Sequence, residues 1–191
     1  VYWIRLAAEQ GHAIAQHNLN ASYSSGDGVE KDEEKAVYWL RLAAEKGLAV
    51  SQHILGLRYA SNRGVEQNDE QAVYWIRLAA EQENPEAQLT LARFYRSGKR
   101  VERDNQQALY WTRLAAEQGY SIAQMVLAGL YFLGDGVEKD EEQGLNWCRK
   151  AAEQEIPEAQ AIIGCSYLWG WGVKQDDEKA VHWLRLAAEQ G

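Results

Sequence analysis

The chain has 191 residues, of which 46% are hydrophobic and 2 are proline, and carries a net charge of −8. That acidity argues against phosphate-backbone binding, which needs clustered Lys and Arg. No apolar run approaches the roughly 20 residues that span a bilayer, so neither nucleic-acid binding nor membrane insertion is expected. Cysteine is sparse: Cys148 and Cys165 form no CxxC pair, which indicates neither a disulfide framework nor a metal site. Two unpaired thiols lean toward a reducing compartment, and a soluble protein, cytoplasmic or periplasmic, is expected.

The first predicted element is a helix over residues 1–10 with the apolar stripe Trp3, Ile4 and Ala7. Its pattern returns at a constant step: Trp39, Trp75, Trp111, Trp147 and Trp183 follow Trp3 at intervals of 36 residues. A fixed period of this length marks a stacked repeat array with one continuous core. Residues 1–11 match the second half of a unit. Five full units follow, at 12–47, 48–83, 84–119, 120–155 and 156–191. The array is read as a single domain over 1–191.

Each unit reads as two helices, A then B. In the first unit Ala15, Leu19, Asn20 and Tyr23 share one face of helix A, and the tyrosine recurs as Tyr59, Tyr95, Tyr131 and Tyr167. The small residue after the leucine, such as Gly56 or Gly164, leaves room for a neighbouring helix. Gly26-Asp27-Gly28 turns the chain, because glycine accepts positive φ. Asn62 and Arg100 replace a glycine in the second and third units, so those turns are expected to be less regular. Asp32 then caps helix B, with Asn68, Asp104, Asp140 and Asp176 in register. Ala36, Trp39, Leu40 and Ala43 form the apolar stripe of helix B, and Cys148 takes the slot of Leu40 as a small apolar residue. Gly47 ends the helix, whereas Glu83 and Glu155 replace that glycine, which predicts an alternation of the corner. Arg41 and Glu45 recur four apart in every copy. A solvated helix pair worth roughly 0.2–0.5 kcal/mol accounts for them better than an active site, which is needed once.

These residues resemble the Sel-one-like repeat family, a relative of the tetratricopeptide repeats. The matching pattern is A-x-x-x-L-G-x-x-Y-x-x-G-x-G-V-x-x-D-x-x-x-A-x-x-W-x-x-x-A-A-x-x-G, and it covers essentially the whole chain. The resemblance implies an all-α fold: a right-handed α/α superhelical solenoid of 36-residue helix-turn-helix repeats, here five full units plus a leading half unit. It also implies an adaptor that holds a protein or peptide in a concave groove lined by the A helices. Bacterial members often act in signalling or host interaction. The cysteine-rich branch of the family, linked to β-lactam binding, has a cysteine pair in each repeat; that pair is missing here, so the activity is not carried over.

If Leu19 and Tyr23 face helix B, then His17, Ala21, Ser24 and Ser25 project from the other side of helix A. The resemblance makes that side the concave wall. Equivalent residues then form ladders: His17, His53, Leu89, Met125, Ala161; Ala21, Leu57, Arg93, Gly129, Cys165; Ser24, Ala60, Arg96, Phe132, Leu168; and Ser25, Ser61, Ser97, Leu133, Trp169. These slots vary while the scaffold slots barely do. Arg93 and Arg96 give a cationic spot, and Phe132, Leu133, Leu168 and Trp169 an apolar one; Arg and aromatic residues are common interface anchors. The partner-binding set is therefore His17, His53, Arg93, Arg96, Met125, Phe132, Leu133, Leu168 and Trp169, expected to hold a peptide with an acidic group and an apolar side chain.

No metal or cofactor is expected. His17 and His53 share a ladder, but one-repeat spacing suits a single ion poorly and no carboxylate accompanies them. The glycine turns lack the Lys-Ser/Thr of a P-loop. No Ser, His or Asp sits in a nucleophile motif, so no catalytic residue is assigned and the protein is not read as an enzyme. The competing readings are a hydrolase or β-lactam-binding protein, and a purely structural spacer. Because neither end has a polar capping repeat, the expectation is a fragment of a longer array or end-to-end self-stacking.

Overall fold

The computed structural model describes residues 1–190, which fold as eleven α-helices with no strand among the described residues. The A helices are α2 (Ala13–Ser25), α4 (Ala49–Ser61), α6 (Pro85–Ser97), α8 (Ser121–Leu133) and α10 (Pro157–Trp169). The B helices are α1 (Tyr2–Glu9), α3 (Glu33–Glu45), α5 (Asp69–Glu81), α7 (Asn105–Glu117), α9 (Glu141–Ala152) and α11 (Asp177–Ala188). Two compact units result: Val1–Phe94 with Gly98–Glu102, and Tyr95–Ser97 with the chain from Arg103 onward. Each is a run of helical-solenoid repeats.

The starts of the B helices from α3 to α11 are set by side chains. Asp32 accepts from the Lys35 amide, Asn68 from Gln71, Asp140 from Gln143 and Asp176 from Lys179. Asp104 accepts from both Gln106 and Gln107. Each such cap is worth about 1 kcal/mol. The same cap residue closes the A–B corner, its amide donating to the carbonyl of the repeat tyrosine, as from Asp32 to Tyr23 at 2.9 Å and Asp176 to Tyr167 at 3.0 Å.

In the first unit, Leu19, Tyr23 and Ala36 are buried with Ala8, and Leu40, Ala44 and Leu55 with Val37. In the second, Ala128, Ala151, Ala152, Ala159 and Ile163 surround Cys148, whose thiol is pushed up to about 11 by burial. It is a core residue, as its slot implied. The repeat tryptophans from Trp39 to Trp183 are half-buried, whereas Trp3 is 76% exposed. The small slot does what its size suggests: a Cβ added to Gly56 would lie 2.7 Å from Ile76 and 2.9 Å from the Ala72 carbonyl.

Three local expectations change. Asn62 adopts the left-handed backbone of the glycines it replaces, at φ 55° against 82° for Gly26, because Asn tolerates that region better than most residues. Glu83 and Glu155 do the same at φ 63° and 61°, beside 88° for Gly47. The corner therefore does not alternate; the glutamates accept strain to keep it. At three copies the recurrent arginine turns to a tyrosine hydroxyl. Arg5, Arg41 and Arg113 reach the tyrosine hydroxyls of the next A helix, Tyr23, Tyr59 and Tyr131, at 2.9–3.0 Å. The expected ion pair forms between Arg185 on α11 and Glu189 just past its end, 2.7 Å apart.

A further tie was not drawn from the repeat. Gln16, Gln52, Gln88, Gln124 and Gln160 recur at 36-residue intervals and are buried. Each Nε2 donates to a carbonyl near the end of the preceding B helix, Ala8, Ala44, Ala80, Ala116 and Ala152 respectively, at 3.1–3.3 Å. The same carbonyls accept the amide of the corner residue, Gly11, Gly47, Glu83, Gly119 and Glu155, at 2.9–3.1 Å, so the glutamine is a second donor that ties the next A helix to the end of the B helix. Gln82, Gln154 and Gln190 then donate to the Oε1 of Gln52, Gln124 and Gln160. In the first full unit Lys46 stands where the others have Gln, and Gln16 Oε1 is buried without a partner.

Candidate functional site

The predicted site residues lie on the A helices, and the two units use those slots differently. In the first unit they are tied into the scaffold. His17 Nδ1 lies 2.9 Å from Ser51 Oγ, and His53 Nε2 lies 3.1 Å from Thr90 Oγ1. His53 is only 6% exposed, so it is not an open groove residue. Its Nδ1 sits 3.5 Å from a Glu86 oxygen, within ion-pair reach but without a hydrogen bond. Burial lowers the pKa of both histidines, while Glu86 pulls that of His53 part of the way back. Ser51 beside His17 has the separation of a nucleophile and base, yet Ser51 is 0% exposed and no substrate reaches it.

Arg58, in the slot of Ser22, Leu130 and Ser166, is also buried. Its guanidinium bonds the Glu33 carboxylate and reaches Ser24 Oγ at 2.8 Å. Arg63 joins the same carboxylate at 3.1 Å. Hydrogen bonds from Arg58 hold the Glu33 carboxyl below its ordinary range. Sequence reasoning had not singled out Arg58. Its slot looked variable, and a charged residue there gave no sign of being enclosed.

Arg93 and Arg96 are both exposed on α6, which carries them as part of one helical surface. On α8 and α10 the ladder positions are apolar and in part open. Met125 and Phe132 pack partly against the Cys148 core, Leu168 is half-buried, and Leu133 and Trp169 are 80% and 63% exposed. Beside them Phe132, Glu141, Ile162, Ser166 and Trp171 enclose a cavity of about 360 Å³. Trp169 and Trp171 stack with ring centres 6.5 Å apart and planes 27° from parallel. Glu141 was missed because it comes from the start of a B helix, and Trp171, which the sequence offers either as a sticky edge with Trp169 or as a corner cap, stands outside the predicted binding set because it lies in a turn. The unusual Trp169-Gly170-Trp171 turn was the available signal.

Among the described residues no group of three or more His, Cys, Asp or Glu side chains is arranged to hold a metal ion, and no helix is long and apolar enough to cross a membrane.

The backbone is shared with solved proteins. A protective antigen present in uropathogenic Escherichia coli strains, described as displaying an SLR fold, superposes with a TM-score of 0.93 at 38% identity; the match covers 99% of this chain and 40% of that one. A Sel1 repeat protein from Oxalobacter formigenes gives 0.87 at 34% identity, over 95% of this chain and 74% of the other. Cysteine rich protein B of Helicobacter pylori gives 0.56 at 25% identity, over 72% and 98%. No curated protein matches. The Sel1 repeat pattern itself recurs at residues 1–12, 13–48, 49–84, 85–120, 121–155 and 157–191, and the chain belongs to the Sel1 repeat family.

Proposed function

We propose that this chain is a protein- or peptide-binding module whose contact surface is the exposed flank of its A helices. Sel1 repeat proteins are commonly protein-interaction scaffolds. The observation that carries the reading is the exposed apolar side chains of the second unit: Trp171 lines an open cavity, Trp169 stacks on it, and Leu133 is exposed at the end of α8. Large apolar side chains gathered at one place on a polar protein mark an interaction site, and Trp is a frequent anchor of binding energy. Arg93 and Arg96, exposed on α6, are the cationic groups proposed for an acidic partner side chain. The first-unit histidines act as supports for their helices.

The test is affinity capture with the intact chain, run in parallel with Trp169→Ala, with the double variant Arg93→Ala/Arg96→Ala, and with Tyr38→Ala on a B helix. A partner recovered by the native chain should lose roughly tenfold or more in affinity for Trp169→Ala and keep its affinity for Tyr38→Ala. A partner held equally by all, or lost only with Tyr38→Ala, would remove the A-helix surface from the account and favour the spacer reading.

A further inference from the structure

The cavity of the second unit is built from residues that the repeat does not supply elsewhere. The slot of Phe132 holds Ser24, Ala60, Arg96 and Leu168 in other units, and that of Trp171 holds Asp27, Arg63, Lys99 and Asp135. By contrast, the recess beside Tyr23 and Asp32 and the one beside Tyr167 and Asp176 fall at equivalent repeat positions. Those two are scaffold corners. The Phe132 cavity is specific to its place in the chain.

Two glycines shape it. Gly144 stands where the other units have Ala36, Ala72, Ala108 and Ala180, and a Cβ there would lie 2.5 Å from the Phe132 ring. The missing methyl lets the ring settle onto α9. Gly172, at φ 64°, brings the turn that carries Trp171 against α9; a Cβ on it would meet Glu141 Cβ at 3.1 Å. An aromatic ring, a carboxylate and a second aromatic ring therefore line one opening.

The polar atoms of that opening are acceptors. Glu141 contributes a carboxylate. The Ser166 hydroxyl donates to the Ile162 carbonyl at 2.8 Å, which leaves its lone pairs for another donor. Lys139 pairs with Glu141 at 2.9 Å, but both side chains are about half exposed, at 60% and 47%, so the pair exchanges readily with an incoming cation. Glu138, Asp140 and Glu142 flank the site in sequence, on a chain of net charge −8. An apolar ligand would leave the carboxylate unused, and an anionic one would be repelled by it. A flat cation with an aliphatic stem matches both parts: it can lie on an aromatic face and bond a carboxylate through two nitrogens. Arginine fits better than lysine, whose ammonium is compact and strongly hydrated.

We infer that this cavity takes an arginine side chain of a partner peptide, its guanidinium lying on Trp171 and bonded to Glu141. The inference rests on the peptide-binding reading above and gives that surface a side-chain preference.

The experiment uses the whole chain and a capped, fluorescein-labelled alanine–glycine peptide with one guest residue: arginine, lysine, citrulline, norleucine or glutamate. Anisotropy titrations should show arginine half-saturating at a concentration about fivefold or more below citrulline, its uncharged isostere, as expected for a charge-assisted contact over an aromatic ring. Glu141→Gln should erase that difference, Lys139→Ala should widen it, and Trp171→Ala should weaken arginine and citrulline alike. Circular dichroism and thermal melts confirm that each variant is folded. Norleucine binding as well as arginine, with Trp171→Ala abolishing both, would overturn the arginine assignment and leave a peptide-binding surface standing. Preferred binding of the glutamate peptide would overturn it as well. No guest peptide binding at all would reject both the assignment and the cavity as a peptide site.

Discussion

The two units place different chemistry in the same slots. The first fills them with polar groups that bond one another: His17 with Ser51, His53 with Thr90, Arg58 with Glu33 and Ser24. The second fills them with Met125, Leu130, Phe132, Leu133, Leu168 and Trp169, part of which stays open. One repeat scaffold thus serves two ends. Where the variable side chains satisfy each other they join neighbouring helices; where they are apolar and uncovered they are available to something else.

The largest expected effect tests the shared part. Leu55→Ala in the first unit and Leu127→Ala in the second remove side chains that are both 0% exposed, and each should cost about 3 kcal/mol. Urea unfolding followed by circular dichroism measures both; a loss confined to one unit would mean that the scaffolds are not equivalent.

Next comes the first unit's own device. Arg58→Ala should cost about 2 kcal/mol, because Glu33 loses its buried partner and keeps only the exposed Arg63 and Lys31. Arg58→Leu, which copies Leu130, should cost less than Arg58→Ala, since it refills the space. Equal losses would show that the charge pair, and not the packing, is what matters there.

Lys46→Gln is the complementary test. It restores the amide present in most other copies and gives the buried Gln16 Oε1 a donor, so it should stabilise by about 1 kcal/mol. An unchanged melting curve would remove the glutamine chain from the list of stabilising ties.

The smallest effect is in pH. His17 and His53 have lowered pKa values in the fold, so between the folded and unfolded values the unfolded chain holds more protons. Their contribution to stability is complete above about pH 6.5 and is lost as pH falls through that value. Glu33, also lowered, contributes above about pH 4.5 and fails only at more acid pH. The melting temperature should therefore fall between pH 7.5 and 5.5, and His53→Gln should flatten that fall. A slope unchanged by the substitution would place the titration elsewhere.

Much of this was legible in the residues. Six tryptophans at one interval announced the paired helices, and the Asp and Asn caps and left-handed glycines marked where each begins and ends. What local pattern could not show was reach. Arg41 stands one turn from Glu45, so a helix pair was the natural reading, yet its side chain extends to Tyr59 on another helix. His53 looked like an exposed rung because ladders follow from helix geometry alone, whereas its burial depends on Thr90 and Glu86 in the following repeat. The glutamine series was periodic and in plain view, but its role appears only once the end of one B helix is set beside the next A helix. Trp171 joined the site because two glycines fold its turn back onto α9.

The pairing of Phe132 with Gly144 has a practical side for protein engineering. Repeat proteins are often toughened by writing the commonest residue into every slot, and at 144 that residue is alanine. The edit would improve helix propensity and at the same time push the phenylalanine ring off its seat, deforming the hollow beside it. The clash outweighs the propensity gain, so the edit would lose both stability and recognition here, and position 144 is one to leave alone when the array is borrowed as a framework.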